Sequence, residues 1–271
     1  MSRAVDSAIV HSGEGALMAK SGRSGVQDPA ALKPWPKRPA RLAHAVVESL
    51  TDSIVSGAVP PGATLPVEPE LCETFGVSRI TVREAVKSLE AKGLVRARQG
   101  SGTTVTQPEE WNLLDPVVLA ATVQHDGELV VLDQLVGVRS ALEAQMAAQA
   151  AELATEDDLR EVERLLDRLD EEIAAPARFV ETDVFFHDRI MQASRNRLGR
   201  SIIRTVHTQA RSTFLYNGTP DGHSCEQANA EHRRIVERLL ARDAQGAAQA
   251  MTAHIEAAWS RRRIPHPDIA S

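Results

Sequence analysis

Three histidines and one aspartate in the C-terminal half of this 271-residue sequence have mainly apolar neighbours at helical spacing. They are Asp183, His187, His232 and His254. Asp183 and His187 are four residues apart, so a helix would bring their side chains together. Carboxylate and imidazole groups suit a divalent transition metal, Zn first, with Ni, Mn or Fe as alternatives. A single histidine on an apolar face is more often a hydrogen-bonded core residue, so spacing alone leaves a metal site and a set of core histidines both open.

Arg139 interrupts another apolar helix face in the same half of the chain. That face consists of Leu132, Leu135, Leu142 and Met146. Burying an unpaired charge costs several kcal/mol, so an inward guanidinium requires an anionic partner. One carboxylate against a dication would leave a metal site positive, and Arg139 would add to that charge. The residues therefore predict an anionic ligand near Arg139.

A basic stripe in the N-terminal half has the spacing of one helix face. It consists of Arg79, Arg83 and Lys87, spaced by four residues. Apolar side chains lie on the other side of the same helix, at Val82, Val86 and Leu89. Guanidinium groups near the start of a helix can bind guanine edges or phosphates of duplex DNA. A solvated amphipathic helix would show the same stripe, so the surrounding elements must decide.

The elements predicted around this stripe form a winged helix-turn-helix. Helical periodicity begins near residue 40 and ends at Gly57, and a second short helix fits residues 68–75. Ser78 can cap a third helix that runs to about residue 91. Two short strands follow, at residues 94–98 and 103–106, around a glycine-rich tip.

Beyond residue 108 the pattern is helical and contains no further strand signal. Six segments of helical periodicity are predicted, at residues 128–153, 156–173, 177–195, 198–216, 225–242 and 244–260. The predicted fold class is therefore mainly α: an N-terminal winged helix-turn-helix and a C-terminal all-α helical bundle. The predicted boundaries are a disordered arm (1–39), a DNA-binding domain (40–107), a linker with a connecting helix (108–122), an effector-binding and dimerisation domain (123–262) and a tail (263–271).

The charge distribution agrees with two functional halves. The net charge is −6, yet residues 1–106 contain 13 Lys and Arg against 10 Asp and Glu, while residues 107–271 contain 18 against 27. A basic module fused to an acidic one is typical of a DNA-binding domain with a separate regulatory domain. The two cysteines are far apart, and no long apolar segment indicates a membrane span or secretory signal, so we expect a cytoplasmic protein that associates with the nucleoid when bound to DNA.

Four motifs in the first half resemble the GntR family of bacterial transcription regulators. They are LPVEPEL at 65–71, FGVSRITVREA at 75–85, GLV at 93–95 and GSGT at 100–103. The resemblance implies that Ser78, Arg79, Thr81 and Arg83 contact bases or phosphates and that the wing tip at Gln99 and Gly100 enters the minor groove. To these residues we add Lys87, from its place in the basic stripe. Pro69 stands where many members carry Arg or Ser, which puts one phosphate contact in doubt.

The second half resembles the FCD ligand-binding domain of the FadR-type branch of this family. The resemblance rests on DVFFH at 183–187, Asn196, EH at 231–232 and His254, with gaps of 45 and 22 residues between the three histidines. It implies that Asp183 and the three histidines bind the metal and that Arg139 helps to bind a carboxylate. The linker motif WNLLDP at 111–116 resembles members that sense sugar acids such as galactonate or gluconate.

The sequence therefore predicts a homodimeric repressor of a catabolic operon, which binds a pseudo-palindromic DNA operator and is released by a small carboxylate. Two other functions stay open. A metal-dependent hydrolase could use the same ligands to activate water, although no separate general base is evident beside them. An architectural DNA-binding dimer would have no effector, and it predicts neither metal nor a thermal response to carboxylates.

Overall fold

The computed structural model describes residues 40–98, 100, 102–127, 129–211 and 221–262. The predicted arm at 1–39, the tail at 263–271 and the wing residue Gln99 lie outside the described residues. Within the described part the structure is mainly helical, with a single two-stranded sheet. This confirms the predicted fold class. No helix of the described part combines the length and apolar character needed to cross a lipid bilayer.

The N-terminal unit contains three helices: α1 (Ala40–Val55), α2 (Glu68–Phe75) and α3 (Arg79–Ala91). Gly76 closes α2 with a left-handed backbone (φ 63°), and the hydroxyl of Ser78 accepts from Thr81 N at 3.3 Å at the start of α3. These are the turn and cap that the sequence predicts. The three helices enclose one apolar core, whose fully buried members include Ile54, Val82, Leu89 and Leu94.

The wing is an antiparallel pair of strands, β1 (Val95–Arg98) and β2 (Gly102–Val105). The register pairs Val95 with Val105 and Arg98 with Gly102, so both valines face the core. Gly100 and Gly102 have φ angles of 82°, which residues with a Cβ rarely adopt. The predicted hairpin is therefore present, with its second strand starting one residue earlier.

Helix α4 (Pro116–Gln124) connects the winged unit with the remaining helices. Asp115 caps it by accepting from Val117 N and Val118 N, and its second oxygen accepts from Lys92 Nζ at 2.5 Å. Val118 belongs to the winged core, whereas Leu119 and Val123 pack with Leu132 of the next helix. The two faces of α4 thus contact different cores.

Six helices form the C-terminal unit: α5 (Val130–Leu153), α6 (Glu156–Glu172), α7 (Pro176–Ala193), α8 (Arg197–Arg211), α9 (Gly222–Leu240) and α10 (Ala244–Arg262). Helix α5 packs against α7, α8, α9 and α10. Its buried alanines at 147, 150 and 151 leave room for α10, which presents Ala247 and Met251 to the same core. Three helices that carry the predicted ligands, α7, α9 and α10, therefore all pack on α5.

Candidate metal centre and DNA interface

Asp183, His187, His232 and His254 come together inside the C-terminal helices. One ligand atom from each lies within 4.8 Å of all the others. Asp183 and His187 are on α7, His232 is on α9 and His254 is on α10. The three histidines are buried, while the Asp183 side chain is 19% exposed. The structure thus brings together the four predicted ligands, which are up to 71 residues apart in the sequence.

The Nε2 atoms of the three histidines point toward a common centre. His254 Nε2 lies 3.2 Å from His187 Nε2 and 3.2 Å from His232 Nε2. Asp183 Oδ1 lies 3.2 Å from His232 Nε2 and 3.9 Å from His187 Nε2. Three imidazole nitrogens and one carboxylate oxygen are a donor set that suits a divalent transition metal.

Two glutamates, the buried Glu143 and the partly buried Glu231, fix which nitrogens of the histidines face the centre. His187 Nδ1 lies 2.7 Å from Glu143 Oε2, and His254 Nδ1 lies 2.9 Å from Glu231 Oε2. An ionised carboxylate only accepts, so each Nδ1 donates its proton outward and leaves the Nε2 lone pair facing inward. When both rings are neutral, neither Nε2 carries a proton, so the 3.2 Å contact between His187 and His254 is not a hydrogen bond.

Electrostatics keeps the two glutamates ionised and lowers the pKa of two of the histidines, His232 and His254. Burial raises the pKa of Glu143, but Arg139 and His187 outweigh it and lower that pKa well below its usual value. Burial likewise opposes ionisation of Glu231, yet hydrogen bonds from Arg261 and His254 lower its pKa to about 2. Burial lowers the pKa of His232, and burial together with His232 lowers that of His254 to about 3. Nitrogen lone pairs that face the centre fit a bound cation, so these four residues suit a metal ion.

His232 is oriented by aromatic packing. Its Nδ1 is buried and has no hydrogen-bond partner among the described residues. The ring of Phe186 lies 4.6 Å from the His232 ring, between centroids, and the ring of Phe179 lies 6.4 Å away on a nearly parallel plane. The ring is therefore held by its neighbours on α7 with Nε2 directed at the centre.

Arg139 lies beside this centre and reaches it through Glu143. Its Nε donates to Glu143 Oε1 at 2.9 Å, and its side chain is only 11% exposed. His207 Nε2, from α8, lies 3.1 Å from the same oxygen. Glu143 thus joins α5, α7 and α8 around one carboxylate. The two acids Glu143 and Asp183 outnumber the single guanidinium of Arg139, so a dication would restore a positive balance.

Sequence patterns do not single out Glu143, His207 and Glu231 as functional residues. Glu143 follows Arg139 by four residues, a spacing that forms ion pairs on exposed helix faces as readily as in a core. Glu231 stands directly before the predicted ligand His232, which was the one available signal. The positions of all three beside the centre depend on helix packing that one sequence does not reveal.

The DNA-binding residues predicted on α3 differ in exposure. Ser78, Arg79, Arg83 and Lys87 are exposed, as is Gly100 at the wing tip. Thr81 is only 3% exposed, and its hydroxyl lies 3.0 Å from that of Ser78. Arg83 Nε donates to Glu68 Oε2 at 2.7 Å, and this hydrogen bond raises the pKa of the guanidinium. Arg96 of the wing pairs with Glu110. The structure therefore presents a basic exposed surface at the start of α3 and holds Arg83 in one orientation.

Comparisons with known proteins agree with both halves of this description. Residues 42–105 match the model of bacterial regulatory proteins of the gntR family, and residues 134–257 match the FCD domain. The galactonate operon transcriptional repressor of Escherichia coli (strain K12) is 31% identical, over 81% of this chain and 95% of that protein. The HTH-type transcriptional regulator LutR of Bacillus subtilis (strain 168) is 33% identical, over 74% of this chain and 92% of its own.

A solved structure has the same fold. The structure of Lar, which controls the expression of the Listeria monocytogenes agr system, superposes with a TM-score of 0.51 at 19% identity. The match covers 86% of this chain and 98% of that one. At this identity the likeness concerns the fold alone.

Proposed function

This chain belongs to the gntR family of bacterial regulatory proteins and carries an FCD domain, and from that premise we propose how its DNA binding is regulated. It is a DNA-binding transcription regulator. In the proposal it represses a catabolic operon as a homodimer on a pseudo-palindromic operator, and a small carboxylate bound at a metal site releases it. Residues 40–107 bind DNA, residues 108–122 connect, and residues 123–262 bind the effector and dimerise.

One observation supports the metal site above all others: the inward Nε2 atoms of His187 and His254 are 3.2 Å apart, on rings whose Nδ1 atoms face Glu143 and Glu231. Asp183, His187, His232 and His254 would hold the metal, Zn first, with Ni, Mn or Fe as alternatives. When bound, the metal supplies a Lewis-acid centre for a carboxylate oxygen. Arg139, held by Glu143 next to His187, contributes the positive charge that a carboxylate requires.

The effector class in this proposal is a sugar acid, such as galactonate or gluconate. Its support is the relative named as the galactonate operon repressor, which this chain matches over 81% of its length, and the WNLLDP linker at 111–116. The ligand acts as a signal and dissociates from the protein without chemical change, so no turnover is expected.

The contacts of α4 give the effector domain a route to the DNA-binding unit. Helix α8, which carries His207, packs against α4, and α4 packs against α1. His125 at the end of α4 lies 2.8 Å from Asp52 Oδ1 of α1, and Lys92 binds Asp115 at the other end. A change at Glu143 can therefore reach the winged unit through α8 and α4, biasing its position on DNA.

The test of the site is the metal content of purified protein. His187→Ala combined with His232→Ala is expected to abolish bound metal, measured by elemental analysis, and to leave the operator affinity of the metal-free protein unchanged. His223→Ala is the matched control, because His223 is on α9 like His232 but has a side chain that is 74% exposed. Stoichiometric metal in the double variant would refute the site.

The role of Arg139 needs a separate variant. Arg139→Lys keeps the charge but loses the planar guanidinium, and Arg139→Ala loses both. Both variants are expected to bind operator and to respond less to effector, with the larger loss for alanine. A normal dose response of the alanine variant would remove Arg139 from the effector site.

A further inference from the structure

One large apolar side chain on the basic surface of α3 is exposed to solvent. Ile80 is 66% exposed, while its neighbour Thr81 is 3% exposed. The adjacent turns of the same helix present Arg79 and Arg83 to solvent. A large aliphatic side chain left in water loses the free energy of burial that a contact would provide.

The position of Ile80 limits what can cover it. It is the second residue of α3, which begins at Arg79, and the first residues of a recognition helix are those that reach base edges in the major groove. Of the exposed charges next to Ile80, Arg79 and Arg83 attract a polyanion such as DNA, while Glu84 is acidic and Glu68 pairs with Arg83. The apolar feature that the major groove offers is the C5 methyl group of thymine.

We infer that Ile80 is a specificity-determining residue, which contacts the methyl group of one thymine in each operator half-site. Arg79 and Arg83 supply hydrogen bonds and charge, and Ile80 supplies discrimination between thymine and the other bases at its own position. Thr81 faces the interior, so it acts on this surface by positioning Ser78. The inference rests on DNA binding through α3, as proposed above.

The size of the effect follows from one buried methyl group. Burial of a group of this size is worth about 0.8 kcal/mol. At about 1.4 kcal/mol per tenfold change in affinity, this corresponds to roughly a fourfold change in Kd. A contact confined to one base pair per half-site keeps the effect local in the operator sequence.

The experiment replaces thymine by deoxyuridine, which differs only in the C5 methyl group. An operator is first selected from a random duplex pool with the full chain, and each thymine of one half-site is then replaced in turn. Fluorescence anisotropy is expected to show one position at which deoxyuridine weakens binding about fourfold. For Ile80→Ala the two duplexes should bind equally at that position, and Ile80→Val should give an intermediate ratio.

Leu42→Ala is the matched control, because Leu42 is a 58% exposed aliphatic residue on α1 of the same unit. It should discriminate between thymine and deoxyuridine as the original protein does. Equal discrimination by Ile80→Ala, or a half-site without any position sensitive to deoxyuridine, would overturn the inference while operator binding stands. Failure to select any operator would overturn both this inference and the proposed function.

Discussion

Glu143 orients His187 and also binds two other side chains of the effector domain. It accepts from Arg139, His187 and His207, which lie on α5, α7 and α8. A carboxylate that accepts from a metal-binding histidine fixes the ring and strengthens the ligand. The predicted ligands could be read from the sequence because they interrupt apolar helix faces. Glu143 could not, because an Arg and a Glu four residues apart look the same on an exposed helix.

Glu143→Gln is therefore expected to weaken metal binding about 10-fold to 100-fold without removing a ligand. The amide keeps the size of the side chain but loses the charge that holds the proton on His187 Nδ1. A competition titration against a chelator would measure the affinity. Glu161→Gln is the control, since Glu161 pairs with Arg164 on the exposed side of α6. An unchanged metal affinity for Glu143→Gln would mean that the glutamate serves packing alone.

Arg83 is expected to contribute directly to operator affinity. Arg83→Ala should weaken operator binding by about 10-fold to 100-fold, because the guanidinium that Glu68 positions would no longer reach a base or phosphate. Arg160→Ala provides a control of the same chemistry, since Arg160 is exposed on α6 and pairs with Asp157. If Arg83→Ala and Arg160→Ala bound operator equally well, α3 would not be the recognition helix.

The buried histidines also predict how stability depends on pH. Burial lowers the pKa of His232, and that of His254 to about 3, from 6.5. Below that ordinary value the unfolded chain takes up protons that the folded metal-free protein does not. The free energy of unfolding should therefore fall from about pH 7 to about pH 5, by up to about 1.4 kcal/mol per pH unit for each histidine. Glu231 adds to the loss only below its ordinary pKa of 4.5.

Urea denaturation in the presence of a chelator would measure this slope. His232→Gln combined with His254→Gln should reduce the slope between about pH 7 and pH 5 and leave the contribution of His207, whose pKa burial also lowers, whereas His223→Ala should leave the slope unchanged. A slope in the double variant equal to that of the original protein would show that other groups carry the pH dependence.

At the scale of elements, the sequence predicts α2 and α3 to the residue because turn and cap residues mark their ends. Ser78 caps α3, and Gly76 ends α2 with a positive φ. The six C-terminal helices also follow their apolar periodicity. Within the described residues their ends differ from the predicted ends by up to three residues. How these helices pack could not be predicted, because several arrangements bury the same faces. This is why the junction at α4 and the contacts of His207 appear only in the structure.

Gly93, which lies just before the wing, packs closely against the linker backbone at Glu110. It has a φ of 77°, and an added Cβ would lie 2.2 Å from the backbone oxygen of Glu110. Gly93→Ala is therefore expected to destabilise the protein by several kcal/mol, because the backbone of the linker must move. Gly57→Ala is the matched control, since Gly57 has a φ of 81° and nothing within 4 Å of the added atom.

For Gly57→Ala the expected cost is only that of the left-handed backbone, about 1–2 kcal/mol. Thermal unfolding of both variants would separate strain from collision. Equal losses of stability would show that the linker yields to the added atom and does not fix the wing.

At the scale of the whole molecule, the charge asymmetry between the halves matches their proposed partners. The exposed basic surface of α3 belongs to the N-terminal part, whose excess of three positive charges falls within residues 1–39, while the acidic half contains the predicted metal ligands. The sequence alone predicts this division, because composition changes at about residue 106. It does not predict that α4 belongs to both cores, the contact through which we propose that effector binding reaches the DNA-binding unit.

In the proposed regulation, a carboxylate, a metal and Arg139 act together to release the regulator from DNA. The most direct measurement is fluorescence anisotropy of a labelled operator duplex while gluconate or galactonate is titrated into metal-loaded protein. One of these acids is expected to raise the operator Kd about tenfold or more and to be recovered unchanged. Metal-stripped protein and the His187→Ala, His232→Ala variant should remain bound at every concentration. Equal release of the metal-stripped protein, or chemical conversion of the acid, would contradict regulation by a carboxylate bound at a metal site.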